Sequence, residues 1–197
     1  MPIHFRDVGD KKVPFDIRHR SIIDSLPAYE TEKTILDVGC GHGPVSRALV
    51  DMGYNVDAID IEEKDTWEYD EGVNFIKEDF ITATKLKDKY SVVMCSEVLE
   101  HLPNYVDFLK KLIVLAEDKV IITIPHEKSF MEIGPPPKGH CNFWSLDPGK
   151  KFKDVREFIK LASPYSTAIS KIRTKERDVQ MLQWCFLIVI DKRQPYG

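Results

Sequence analysis

Long apolar runs are missing from this sequence. The longest uninterrupted stretch toward the C-terminus, Trp184 to Ile190, falls far short of the roughly 20 residues that cross a bilayer, so a buried strand is expected there and no membrane partner. Cysteine is scarce: Cys40, Cys95, Cys141 and Cys185 lie far apart without CxxC spacing, which gives neither a disulfide framework nor a zinc-ribbon pattern. They read as core or near-core packing residues of a reduced, cytoplasmic chain. The first residues, MPIHFRDVGDKK, lack the apolar core of a signal peptide. Neither charge sign dominates, with 28 Lys and Arg against 32 Asp and Glu, so no global field draws the chain onto nucleic acid. Internal repeats and low-complexity segments are absent as well.

What is present is enough for one core: 197 residues, 43% of them apolar, suit a single domain over 1–197 and are too few for two large ones. Residues 1–30 read as a lead-in, with an amphipathic helix from Phe15 to Leu26 stopped by Pro27. Strands are expected at Thr34–Val38, Asn55–Ile59, Val73–Ile76, Ser91–Cys95 and Lys119–Ile124, and helices at Pro44–Met52 and Asn104–Ala116. Such alternation predicts an α/β fold, a doubly wound, Rossmann-like and mostly parallel sheet. The stretch IGPPPKGHCNFWSLDPG, rich in proline and glycine, cannot continue a helix or a central strand and is expected to be a long functional loop. A helix over Lys150–Leu161 and an antiparallel strand pair, about Thr167–Arg173 and Met181–Ile190, close the sheet.

The strongest local signal is TILDVGCGHGPV, beginning at Thr34, a buried strand running into glycines and then into a helix opened by Pro44. Alone, the glycines would mark only a tight turn. Gly39 and Gly41 let a ligand approach the main chain without meeting a Cβ, and Cys40 between them belongs to the same turn. A dinucleotide loop needs a third small residue within the helix, where Pro44 stands. Asp37 would repel a pyrophosphate but accept a hydrogen bond from an ammonium group. The turn therefore favours a cofactor with an amine end over a nicotinamide. Asp60, ending the second strand, can accept both hydroxyls of a ribose. Asp79, ending the third, can accept from an adenine amino group or simply cap a turn, and Phe80 can cover a ring face. Ser96 and Glu97 end the fourth strand at the switch point where such sheets bind ligands.

In order and spacing, ILDVGCGHG, Asp60, KEDF, VVMCSEVLEHLPN and VIITIP resemble a class I methyltransferase, of the broad group that includes the ubiquinone-biosynthesis O-methyltransferases. The resemblance covers Thr34 to Pro125. It implies S-adenosyl-L-methionine bound by Asp37, Gly39, Cys40, Gly41, Asp60, Ile61, Asp79, Phe80 and Ser96. Arg20 resembles an arginine that grips the methionine carboxylate in some relatives. Two departures stand out: Ser91 replaces an acidic residue before the fourth strand, and His42 replaces a small hydroxyl residue in the turn.

Glu97, Glu100 and His101 fall on one side of a helical turn. With His140 or His126 they would make a divalent-metal site, and a similar E-x-x-E-H element is metal-binding in small-RNA terminal 2′-O-methyltransferases and some quinone O-methyltransferases. The same residues also occur in methyltransferases without metal, and a metal is not the favoured reading. His101 or His140 would be the general base for a hydroxyl acceptor, beside Glu97. Phe143 and Trp144 either stack on a planar acceptor or anchor the loop, and anchoring is favoured. The expected function is methyl transfer from S-adenosylmethionine to an unidentified small-molecule or polymer-end acceptor, with a small molecule favoured over a nucleic acid. The alternatives are a metal-dependent RNA 2′-O-methyltransferase and a noncatalytic S-adenosylmethionine-binding partner subunit.

Overall fold

The computed structural model describes residues 17–27, 33–69, 71–126, 138–149, 151–175 and 182–195. The apolar runs become strands β1 (Thr34–Val38), β2 (Asn55–Asp60), β3 (Val73–Lys77), β4 (Tyr90–Ser96) and β5 (Ala116–Pro125), joined toward the C-terminus by β8 (Tyr165–Lys175) and β9 (Leu182–Pro195). They form one seven-stranded sheet in the order β3-β2-β1-β4-β5-β9-β8. Pairing is parallel from β3 to β5, and antiparallel where β9 meets β5 and β8. This is the expected α/β sheet with its C-terminal antiparallel pair.

Period-2 alternation sorts the strand side chains onto two faces. On β1, Leu36 and Val38 join one core cluster and Ile35 the other. The first cluster is covered by α3 (Tyr105–Leu115), which buries Phe108, Leu109 and Leu112, and by α4 (Glu157–Leu161), which buries Phe158. The second is covered by α1 (Ile17–Asp24), through Ile22 and Ile23, and by α2 (Pro44–Asp51), through Val45, Ala48 and Leu49. Each such side chain other than that of Ala48 contributes about 1.5–3 kcal/mol through burial. The buried carboxylate of Asp57 ties three strands together. It accepts hydrogen bonds from Asn74 Nδ2 at 3.0 Å and Tyr90 OH at 2.7 Å, and pairs with Lys87 Nζ at 3.1 Å.

Chain order reverses between β1 and β4, so their C-terminal ends diverge and leave a crevice. The connections from β2 to β3 and from β3 to β4 carry no α-helix among the described residues, only a 3₁₀ turn, Trp67–Tyr69.

The helix expected over Lys150–Leu161 begins only at Glu157. Lys153–Asp154 instead form β7, which bridges to β6 (Trp144–Ser145). Lys153 N–H donates to Phe143 O at 2.7 Å and Val155 N–H to Ser145 O at 3.1 Å. Phe152 and Val155 mimic a helical face, but this bridge takes up the amides a helix would use. Asp154 then accepts from Arg156 N–H at 2.9 Å, starting the short helix. Lys150 itself, and Phe15 of the first predicted helix, lie outside the described residues.

Candidate active site at the strand ends

The turn after β1 is built on left-handed backbone. Gly39 has φ 73°, and a Cβ there would overlap Val98 Cγ2 as well as strain the backbone. Gly39 N–H donates to Ile59 O at 2.8 Å, prolonging the pairing with β2 into the turn. Asp60 fastens the turn to the segment after β2: one carboxylate oxygen accepts from Gly41 N–H at 2.9 Å and the other from Glu62 N–H at 3.1 Å.

Beneath the turn lies Asp37, only 5% exposed, accepting from Ser46 Oγ at 2.6 Å. Burial, with Asp60 nearby, raises its pKa to about 7. A carboxyl poised there gains most from an approaching cation. Cys40 is also buried, and burial followed by the neighbouring carboxylates of Asp37 and Asp60 keeps its thiol protonated.

A cavity of about 310 Å³ opens over these strand ends, at the lower end of the size range for small-ligand sites. It brings together seven of the residues singled out in the sequence: Gly39, Asp60, Ile61, Asp79, Phe80, Glu97 and His101. Asp37, Cys40 and Gly41 sit in or beneath the turn without lining it, and Ser96 lies at the end of β4, its Oγ 2.7 Å from Thr123 Oγ1. Ile61, 66% exposed, and Ile81, 47% exposed, are among the lining residues. Asp79 accepts from Ile81 N–H at 2.7 Å. Phe80 is buried, its ring centroid 4.6 Å from that of Phe108. It is thus a wall packed into the core rather than a free stacking plate.

Glu97 leaves β4 with φ 55°, unusual for a residue with a side chain and costing on the order of 1–3 kcal/mol. Its N–H is held by Thr123 O at 3.0 Å, and its carboxylate pairs with Arg18 Nη1 at 3.1 Å. Arg20 does not join the site. Its Nε faces Asp24 at 3.5 Å with both side chains exposed. At 100° per residue, positions 18 and 20 point to different sides of α1. Arg18 shares a face with Ile22, which is buried against the sheet. That i, i+4 relation was the available signal, and the sequence reading missed it, as it missed Ile81 and Val98 in the cavity wall.

After Glu97 comes the 3₁₀ turn Leu99–His101, and the proline-rich loop docks onto it. Glu100 O accepts from Cys141 N–H at 2.8 Å and Asn142 N–H at 3.1 Å. Asn142 Nδ2 donates to Leu99 O at 3.0 Å and Leu102 O at 2.7 Å. His101 Nδ1 lies 3.2 Å from Gly139 O, and the His140 ring stands edge-on to His101 with centroids 4.6 Å apart. Burial, then His101, lowers the His140 pKa. Glu100, His101 and His140 offer donor atoms that all lie within 4.8 Å of one another. His126, the other candidate histidine, is buried edge-on against Phe186, and its backbone N–H donates to Trp184 O at 2.8 Å.

Trp144 is an anchor: fully buried, it donates through Nε1 to Glu157 Oε1 at 2.7 Å, an oxygen that also accepts from Tyr105 OH at 2.9 Å. Cys40, Cys95 and Cys185 are buried as expected, but Cys141 is exposed on this loop and corrects the expectation of four core cysteines. His42 is exposed, as a turn residue. No helix among the described residues is long and apolar enough to cross a membrane.

Comparison with known proteins bears on the family and the fold. A ubiquinone biosynthesis O-methyltransferase of Rickettsia felis is 37% identical over 109 residues, covering 49% of this chain and 43% of the relative. The same enzyme of Rickettsia bellii is 33% identical over 133 residues, covering 60% and 54%. The chain thus spans about half the length of these curated relatives. Magnesium protoporphyrin IX methyltransferase from Synechocystis PCC 6803, solved with bound S-adenosylmethionine, superposes with a TM-score of 0.61 at 21% identity, over 95% of this chain and 88% of that one. The methyltransferase domain family matches residues 13–148. On that match the chain belongs to the methyltransferase domain family, and its sheet is the S-adenosylmethionine-dependent methyltransferase fold.

Proposed function

We propose that this chain transfers the methyl group of S-adenosylmethionine to a hydroxyl of a small-molecule acceptor. The observation that carries the reading is the cavity at the strand ends, where a Cβ-free turn, Asp60 and Asp79 face one space. The cofactor supplies an electrophilic methyl on sulfur. Asp60 accepts from the ribose hydroxyls with the lone pairs its two backbone donors leave, and Asp79 accepts from the adenine amino group. Ile61 and Ile81 cover the base with apolar surface. Asp37, ionised by the approaching ammonium, binds the amino end, with Ser46 orienting it. Arg18, rather than Arg20, supplies a guanidinium near the carboxylate end.

On the acceptor side, His101 keeps a lone pair at Nε2 when Nδ1–H donates to the Gly139 carbonyl. Nε2 takes the hydroxyl proton, and the Glu100 carboxylate, 4.0 Å away, stabilises the resulting imidazolium. Glu97 and Val98 shape the floor and exclude water, so orientation contributes most of the acceleration. Calorimetry with S-adenosylmethionine and S-adenosylhomocysteine tests the cofactor reading on wild type and Asp60→Ala. Saturable binding lost in the variant is expected, followed by turnover in a screen of hydroxylated small molecules. No binding by folded wild type overturns the reading, and binding without turnover of any acceptor points to a noncatalytic partner subunit.

A second reading adds a divalent cation, favoured by the convergence of Glu100, His101 and His140. Two imidazoles and a carboxylate suit Mn²⁺ or Zn²⁺. The net charge of −4 gives no support for RNA as the acceptor. Equilibrium dialysis with Mn²⁺ is expected to find one site, lost in Glu100→Ala. The absence of a saturable site removes this reading and leaves the first intact.

A further inference from the structure

The connection between parallel strands is usually helical, but residues 61–69, which follow β2, do something else. They fold back against the outer side of the glycine turn. Trp67 Nε1–H donates to Gly41 O at 2.8 Å, and its ring stacks on Phe75 with centroids 4.7 Å apart and planes 10° from parallel. Thr66, 1% exposed, donates through Oγ1 to His42 O at 3.3 Å. Arg47 bridges the two segments, donating to His42 O and, at 3.1 Å, to Thr66 O. Three left-handed glycines in five residues would otherwise make this turn the least ordered backbone at the site.

The Gly41 residue is therefore gripped at both ends: Asp60 holds its N–H and Trp67 its C=O. The first grip orients the carboxylate that faces the cavity, and the second fixes the backbone on which the first depends. We propose that Trp67 is a positioning residue for the cofactor site, acting through Gly41 on Asp60. The assignment rests on the cofactor reading above. Trp67 does not line the cavity. Its effect is to prepare the turn before the ligand arrives, which cuts the ordering cost of binding.

The test is Trp67→Phe, which keeps an aromatic ring over Phe75 and removes only the N–H donor. S-adenosylhomocysteine affinity measured by calorimetry is expected to fall roughly 3- to 10-fold, the worth of one neutral hydrogen bond. Amide exchange at Gly41 is expected to quicken in the same variant without ligand. A purely structural role would lower the urea midpoint and leave both readouts unchanged. A double-mutant cycle decides the route: in an Asp60→Asn background the Trp67→Phe loss should largely vanish, since the carboxylate it positions is gone. Wild-type affinity in Trp67→Phe, or a loss fully additive with Asp60→Asn, overturns the assignment alone. A folded wild type that binds no S-adenosylhomocysteine overturns the cofactor reading and this assignment with it.

Discussion

The two sides of the cavity are built on different principles. Over β1, β2 and β3 the wall is made by neighbours in sequence: glycines with positive φ, a carboxylate at or just past the end of each of two strands, and backbone amides that hold both carboxylates in place. Over β4 and β5 the wall is assembled from afar, by a strained Glu97, a single turn, and a loop some forty residues later that clamps that turn. A wall made of local backbone is prepared before any ligand arrives. A wall made of docked segments can be undone without touching the first, and the two meet where Gly39 lies against Val98.

Breaking that meeting point should have the largest effect. Gly39→Ala places a methyl on left-handed backbone and against Val98, costing roughly 2–5 kcal/mol in urea unfolding and abolishing S-adenosylhomocysteine binding. Adding Val98→Ala should relieve the overlap but not the backbone strain, returning only part of the stability. Full recovery would mean that the turn tolerates a side chain and that the two walls are less distinct than described. Asn142→Ala separates the walls more gently. It removes the two side-chain hydrogen bonds to Leu99 O and Leu102 O and should cost roughly 1–3 kcal/mol. Its methyl-transfer rate should collapse while S-adenosylhomocysteine affinity stays within about twofold. Equal losses in both would show that the loop organises the whole cavity.

The smallest effect concerns Asp37. Its native pKa of about 7 stands above the ordinary 3.8, so between those values the folded chain holds a proton that the unfolded chain lacks. Stability contributed by that proton is complete below about pH 4 and is lost as pH rises through about 7. Urea midpoints at pH 5 and 7.5 should therefore differ less in Asp37→Asn than in wild type. S-adenosylmethionine should bind with release of a proton below pH 7, and more weakly as pH falls. A binding enthalpy indifferent to buffer ionisation heat would remove Asp37 from contact with the amine.

The same contrast explains what could be read in advance. The glycine turn and the succession of strands along the chain are written in contiguous residues, because apolar runs and glycine spacing are local properties. The helix predicted over Lys150–Leu161 holds only from Glu157, because Phe152 and Val155 have helical spacing while Lys153–Asp154 between them are claimed by Trp144–Ser145, a partner no periodicity reveals. Arg18 and Arg20 sit two positions apart in a short helix, and only its orientation on the sheet tells which one reaches Glu97. As a further metal ligand, His140 and His126 were both candidates in the sequence. The Asn142 amide, holding the turn by two carbonyls, brings the first to His101.

The order β5-β9-β8 sets a constraint in time. The strand that completes the pairing of β5 is β9, the last one described, and it enters between two strands already made. During synthesis the cofactor wall can take shape early, while β5 carries an open edge until some sixty residues later in the chain. An open apolar edge invites pairing with other chains, so this sheet is most exposed to misassembly in the interval between translating its binding half and translating its final strand.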